Sequence, residues 1–250
     1  MILKVKGLKF SYPSNNVLND VEFMTERGKI AVILGPNGTG KTTLLKCINK
    51  ILKPCKGAIY IDSEDIEGLK RKDIAKKVGY VEQQRIGSRS TVFDAVLLGR
   101  KPYIKWDISS EDIRIAEEAL EDLGISHYAF KHLDELSGGE LQKVIIARAI
   151  TQEPDILLMD EPTNHLDLKN QINVLSIVEK IAKEKNISVI TTMHDINLAL
   201  KYGEKFLILK DKKIYRAGGK EIVEKETIEK VYSVPVDIIE YKNRKVVIPN

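Results

Sequence analysis

Four short apolar runs closed by turn residues set the rhythm of the chain: KIAVILG (29–35), DILLMDEP (155–162), ISVITTMH (187–194) and EKFLILKD (204–211). Runs of this length, rich in Ile, Val and Leu and followed by helical patterns, suit parallel strands buried on both faces and joined by crossover helices. A second pattern alternates. LKVKGLKFSY (3–12), NVLNDVEFMT (16–25) and GAIYIDSEDI (57–66) switch between apolar and polar positions and are joined by Gly, Pro and Asn turns. They predict an antiparallel β layer beside the parallel core. From Thr91 to about Ile150 the period becomes helical. SSEDIRIAEEALEDLG opens on Ser109 or Ser110, carries acids in its first turn and ends at Gly124, the start and stop signals of a helix.

The expected fold is therefore α/β: a mostly parallel sheet, an antiparallel β layer and an inserted helical subdomain. Residues 1–250 read as a single domain, with 1–84 and 154–250 forming the core and 85–153 the helical insertion. The stretch after Gly219 is short and mixed. It predicts a helix at 220–232 and a last strand or two, too little for a separate regulatory domain.

Composition narrows the picture without naming a chemistry. A chain of 250 residues, 43% hydrophobic and 30% charged, can bury a sizeable core without disulfides. Its apolar stretches are too short to cross a bilayer, and the strand-like N-terminus lacks the apolar block of a signal peptide, so a cytosolic location is expected. The net charge is +4, with lysines interspersed among acids. No basic stripe with interleaved aromatics appears, and no nucleic-acid partner is expected. Cys47 and Cys55 have no companions for a zinc site; both are expected to be small buried or half-buried residues.

The first chemical motif is GPNGTGKTT: Gly35, Pro36, Asn37, Gly38, Thr39, Gly40, Lys41, Thr42 and Thr43. It stands between a predicted strand, Ile30 to Leu34, and a predicted helix, Thr42 to Leu52. Glycines are needed because backbone amides must turn inward around phosphate oxygens where a Cβ would obstruct them. In such a P-loop Lys41 reaches the β- and γ-phosphates and the Thr42 hydroxyl holds Mg²⁺. The loop alone leaves GTPases, kinases and motor ATPases open.

DILLMDEPTN narrows the choice, because an apolar strand delivers two adjacent acids to the carboxyl edge of the sheet, where such folds bind ligands. Neighbouring side chains on a strand face opposite ways. Asp160 suits the Mg²⁺ shell, and Glu161 is free to orient or deprotonate a water. ITTMHD brings His194 to the same edge, where a neutral imidazole can hold a water or substrate in line. A further cradle, LSGGE (136–140), places Ser137, Gly138 and Gly139 ahead of a helical run at 141–150. Helix-start amides lack partners and face outward, yet no Lys or metal ligand stands beside them in sequence.

In order, and over essentially the whole chain, these motifs resemble the nucleotide-binding subunit of ATP-binding cassette (ABC) transporters. GPNGTGKTT matches Walker A, VGYVEQQ the Q-loop, LSGGE the signature, ILLMDEP Walker B, NHLD the D-loop and TTMHD the switch histidine. The resemblance implies a P-loop NTPase core, ATP and Mg²⁺ as cofactors, and ATP hydrolysis. It implies that Tyr12 stacks on adenine and that Gln83 contacts Mg²⁺ and water, with Gln84 flanking and Glu82 replacing the family's usual proline. It also implies that Asp167 touches the catalytic site of a second copy in an ATP-dependent head-to-tail homodimer, and that Ser137, Gly138 and Gly139 cradle the γ-phosphate held by that copy.

STVFDAVLLGRKPY (90–103) resembles the corresponding segment of importers that carry metal chelates such as iron-siderophore, haem or cobalamin. Its Val92, Val96 and Leu97 also read as core positions of a helix. The resemblance implies integral membrane permease subunits docked near residues 83–100, a solute-binding protein reached only indirectly, and a cytoplasmic location on the inner face of the membrane. A soluble cassette ATPase that remodels a protein or nucleic-acid assembly is the alternative. LSGGE and the Asp160–Glu161 pair argue against a P-loop kinase or switch GTPase, and no Asn-Lys-x-Asp base-reading motif is present.

Overall fold

The structure is a computed structural model, and it describes residues 1–82 and 89–250. The first part of the chain forms β1 (Leu3–Tyr12), β2 (Asn15–Thr25), β3 (Ile30–Leu34), α1 (Lys41–Ile48), β4 (Lys56–Ile61), β5 (Glu64–Asp65), α2 (Arg71–Lys77) and β6 (Val78–Val81). Three helices follow, α3 (Val92–Leu97), α4 (Ser110–Asp122) and α5 (Gly138–Ile150). Next come β7 (Ile156–Met159), α6 (Leu168–Glu184), β8 (Ser188–Thr192), α7 (Ile196–Tyr202), β9 (Lys205–Lys210) and β10 (Lys213–Gly218). The chain ends in α8 (Lys225–Tyr232), β11 (Val236–Tyr241) and β12 (Arg244–Pro249).

The expected α/β fold is present. A six-stranded sheet has the order β10-β9-β3-β8-β7-β6. Its pairs from β9 through β6 are parallel, and β10 closes one edge antiparallel to β9. The antiparallel layer runs β2-β1-β4-β5. Strand β3 shows why its sequence is a continuous apolar run: all five residues are buried, alternately on two faces. Ile30, Val32 and Leu34 join a core shared with α3 to α7, whereas Ala31 and Ile33 join one shared with α1 and the antiparallel layer. Each such fully buried branched side chain contributes about 1.5–3 kcal/mol of hydrophobic stabilisation.

Several expectations are corrected. The helix expected from Thr42 to Leu52 ends at Ile48, because Lys50 takes a left-handed backbone (φ 54°) and its ammonium donates to the carbonyls of Ile66, Glu67 and Leu69 at 2.6–2.8 Å. The helix expected at 220–232 is a single tight turn at Lys220–Ile222 followed by α8. Strand β6 was not foreseen. It has only four residues and contains Gly79, where a Cβ would lie 2.8 Å from the Ala149 carbonyl oxygen on α5. Cys47 is buried, but Cys55 is exposed. Burial pushes the Cys47 thiol up to about 12, so it is an inert packing residue.

Val92, Val96 and Leu97 are buried, as core positions of α3 should be. No described helix is long and apolar enough to cross a membrane.

Candidate nucleotide site

Because β3, β8, β7 and β6 are parallel, their carboxyl ends lie along one edge of the sheet. Strand β3 leads into the Gly35–Thr43 loop, β7 into Asp160 and Glu161, and β8 into His194.

The loop is built around close approaches that exclude side chains. A Cβ on Gly40 would meet Leu18 and Val17 of β2 at 2.8 and 2.9 Å, and Gly40 has φ 98° as the residue before α1. A Cβ on Gly38 (φ 79°) would instead meet nothing within 4 Å, so the loop leaves open space there. The Thr39 hydroxyl donates to the Pro36 carbonyl at 2.9 Å. Lys41 is 5% exposed, and its ammonium donates to the carbonyls of Gly35 (2.8 Å) and Pro36 (3.1 Å). Burial lowers its pKa from the ordinary value, against the opposing pull of Glu161 and Asp160. A buried cation facing two acids at a helix start is suited to an anionic ligand. Thr42 is half-buried and Thr43 buried in the first turn of α1.

Asp160 is 2% exposed and accepts a hydrogen bond from the Thr192 hydroxyl at 2.8 Å. The backbone N–H of Glu161 donates to that same hydroxyl oxygen at 2.8 Å. One threonine from β8 thus fixes both acids. Glu161 itself takes a left-handed backbone (φ 50°), a conformation that costs a non-glycine residue about 1–3 kcal/mol and tends to occur at functional sites. Its carboxylate pairs with His194 Nε2 at 2.5 Å and accepts from the Asn164 side-chain amide. A carboxylate and an imidazole in contact at the edge of the sheet can position a water and take its proton.

Tyr12 ends β1 and is exposed, edge-on to Phe10 with ring centroids 4.9 Å apart. It pairs with Asn15, two residues before the Val17–Leu18 pair that abuts Gly40. The tip of the β1–β2 hairpin is therefore a neighbour of the loop. Gln83 lies outside the described residues.

The signature residues form a second group. Ser137 is the N-cap of α5, and its hydroxyl and backbone N–H both donate to Glu140, at 2.7 and 2.8 Å. Gly138 is exposed, whereas Gly139 is buried against α6, where a Cβ would lie 2.6 Å from the side-chain amide carbon of Asn170. Asp167 caps α6, accepting from the backbone and side-chain N–H groups of Asn170 at 2.8 and 3.1 Å. Asn170 thereby joins the D-loop acid to the start of α5.

Sequence reasoning missed three residues here. Thr192 carried a weak signal, as a hydroxyl at the end of an apolar strand run. Asn170 carried none. Tyr232, on α8, accepts a hydrogen bond from the Gly35 N–H at 3.0 Å, and burial pushes its phenol up to about 12. The two residues are 197 positions apart.

A family model described as ABC transporter matches residues 18–164. The chain is 55% identical over 249 residues to an uncharacterized ABC transporter ATP-binding protein of Methanocaldococcus jannaschii, covering 100% of this chain and 98% of the relative. It is 33% identical over 244 residues to the ferric enterobactin transport ATP-binding protein FepC of Escherichia coli, covering 95% and 89% respectively. Among the solved structures that resemble the fold is a chain of an inward-facing transporter assigned to the metal-chelate type, with a TM-score of 0.87 and 31% identity over 100% of this chain and 97% of that one. Another is an ATP-binding cassette in a dimeric post-hydrolysis state bound to ADP and Pi, with a TM-score of 0.76 and 30% identity over 87% and 98%.

Proposed function

The chain belongs to the ABC transporter family, and from that premise we propose that it drives uptake of a metal chelate through a separate membrane permease. It is an ATPase of the cassette type. The observation that carries the importer reading is its alignment with a ferric enterobactin transport subunit over nearly the full length of both chains. The alternative, a soluble cassette that remodels an assembly, has no such support.

ATP sits with its phosphates in the Gly35–Thr43 loop, Lys41 compensating the β/γ charge and Tyr12 offering its exposed ring to the adenine. The open space at Gly38 and the buried ammonium of Lys41 suit a polyphosphate. Mg²⁺ fits the donor set, since the Thr42 hydroxyl and the Asp160 carboxylate are hard oxygen ligands, with Gln83 as a further one. When bound, the ion neutralises charge on the phosphates. Glu161, paired with His194 and Asn164, takes the proton of the attacking water. Ser137, Gly138, Gly139 and Asp167 serve the nucleotide of a second copy. Dimeric relatives of the same fold support that arrangement.

Residues 85–153 act as the helical subdomain and 83–100 as the permease-docking segment. The subunit is thus held at the inner face of the membrane through its permease, with a solute-binding protein acting only on the far side.

Reconstitution into vesicles with a candidate many-span permease tests the reading. The expected result is ATP-dependent uptake of a ferric chelate and an ATPase rate that rises when the permease is present. If no permease binds the chain or changes its ATPase rate, the importer reading fails.

A further inference from the structure

The Ser137 hydroxyl is directed by Glu140, and Glu140 is itself held by a residue outside the signature. One Glu140 oxygen takes both the hydroxyl and the backbone N–H of Ser137. The other accepts a hydrogen bond from the Tyr128 hydroxyl. Tyr128 lies in the tight turn Ser126–Tyr128, its ring half-buried against the core that includes α3 to α5. His127 packs against that ring at a 47° tilt with centroids 3.9 Å apart, and the Lys131 ammonium lies over it, 4.7 Å from its centroid. These contacts fix where the phenol points.

We propose that Tyr128 is a positioning residue for ATP hydrolysis: through Glu140 it sets the orientation in which Ser137 meets the γ-phosphate held by a second copy. The inference rests on the paired-chain reading given above. Without Tyr128 the Glu140 carboxylate is tied only to the residue it caps, and the pair can rotate together about the start of α5. With Tyr128 the carboxylate is anchored from the opposite side, so Ser137 is presented in one geometry. The Tyr128 hydrogen bond is also the largest cause holding the Glu140 carboxyl down, at about 2, so the anchor is anionic at neutral pH and the hydrogen bonds to it are charge-assisted.

The anchor's own support extends beyond α5. The backbone N–H groups of Val92 and Phe93 donate to the carbonyls of Lys131 and Ala129, both at 2.9 Å, and Leu133 N–H donates to the Ser90 carbonyl at 3.2 Å. The His132 ring nitrogen Nδ1 lies 2.7 Å from the Arg89 carbonyl oxygen. The turn bearing Tyr128 is therefore zipped to residues 89–93, which overlap the segment assigned to the permease. The setting of Ser137 is thereby linked, through Tyr128 and these hydrogen bonds, to residues 89–93.

Tyr128→Phe in the full chain, in a Glu161→Gln background that arrests hydrolysis, tests the proposal. The loss of one hydrogen bond to a carboxylate should raise the protein concentration needed for ATP-driven dimerisation about tenfold. Monomer affinity for ATP should stay the same and the melting temperature should fall only slightly, a separation that loss of general structure would not produce. Exchange of the Ser137 and Glu140 backbone amides should quicken about fivefold. Unchanged dimerisation overturns the proposal. If Glu161→Gln alone remains monomeric at saturating ATP, the paired-chain reading is what fails. Amide exchange in Tyr128→Phe then decides only whether Tyr128 holds the Ser137–Glu140 cap: unchanged rates overturn that hold, and faster rates uphold it without a role toward a second copy.

Discussion

Around the first loop glycine and the two acids the holding contacts arrive from far along the chain, whereas the caps at Ser137 and Asp167 are closed within three residues. Gly35 is tied to Tyr232, Glu161 to Thr192 and His194, and Asp160 to Thr192, across 31 to 197 positions. Ser137 is tied to Glu140, and Asp167 to Asn170. Lys41 and Asp160 are almost fully buried, while Ser137, Gly138 and Asp167 are exposed. The first region is a finished pocket wall fixed by the fold. The second is an exposed helix start whose cap is satisfied locally and whose face is open to a partner.

The largest effect should come from removing the buried cation. Lys41→Ala leaves the phosphates uncompensated among Asp160 and Glu161, and ATP affinity measured by fluorescent-nucleotide titration should fall at least about a hundredfold. An arginine in place of Ser137 probes the other region. Ser137→Arg should leave ATP binding by the monomer near normal while abolishing cooperative hydrolysis, measured as ATPase rate against protein concentration. Loss of monomer binding in that variant would mean that the two regions are not independent.

The first of these variants strikes a motif that local spacing alone made legible. GPNGTGKTT and DILLMDEP announce themselves because a loop's geometry and an acid at a strand end depend on adjacent residues. The four short apolar runs were equally plain, since burial on both faces leaves no room for polar positions. What stayed hidden was fixed by long-range approach. Strand β6 is four residues with a glycine in it and is a strand only because β7 offers it a parallel neighbour. The helix after the P-loop stops at Ile48 because Lys50 finds three carbonyls on a segment some 16–19 residues later. Tyr232 ends the helix expected at 220–232, but nothing in its spacing tied it to Gly35. The left-handed backbone of Glu161 could not be anticipated either, because no glycine marks it.

Thr192 tests that long-range half at smaller amplitude. Thr192→Val keeps the shape of the side chain but removes the hydroxyl that accepts from Glu161 and donates to buried Asp160. Losing these two hydrogen bonds should cost about 1–3 kcal/mol of stability by denaturant titration. The loosened carboxylate pair should slow hydrolysis about tenfold, with ATP affinity changed far less. If both rate and stability match the parent, the threonine is a bystander to the two acids.

The smallest effect belongs to the local half and is read through pH. Folding holds the Glu140 carboxyl down at about 2 from its ordinary value near 4.5, chiefly through Tyr128 and then Ser137. A depressed acid stabilises the fold fully above its unfolded value and loses that contribution as pH falls through the folded one. The capping contribution should therefore be constant from pH 7 to about 5 and fade between about 4.5 and 2. Glu140→Gln cannot titrate, so its melting temperature should lie below the parent's at pH 7 and converge on it as the solution is acidified. Because the carboxylate is only partly buried, solvent screening keeps the difference at neutral pH to no more than about 1 kcal/mol. A gap that stays constant from pH 7 to pH 2.5 would show that Glu140 acts by shape and not by charge. The Ser137 cap would then owe nothing to the anion at its centre.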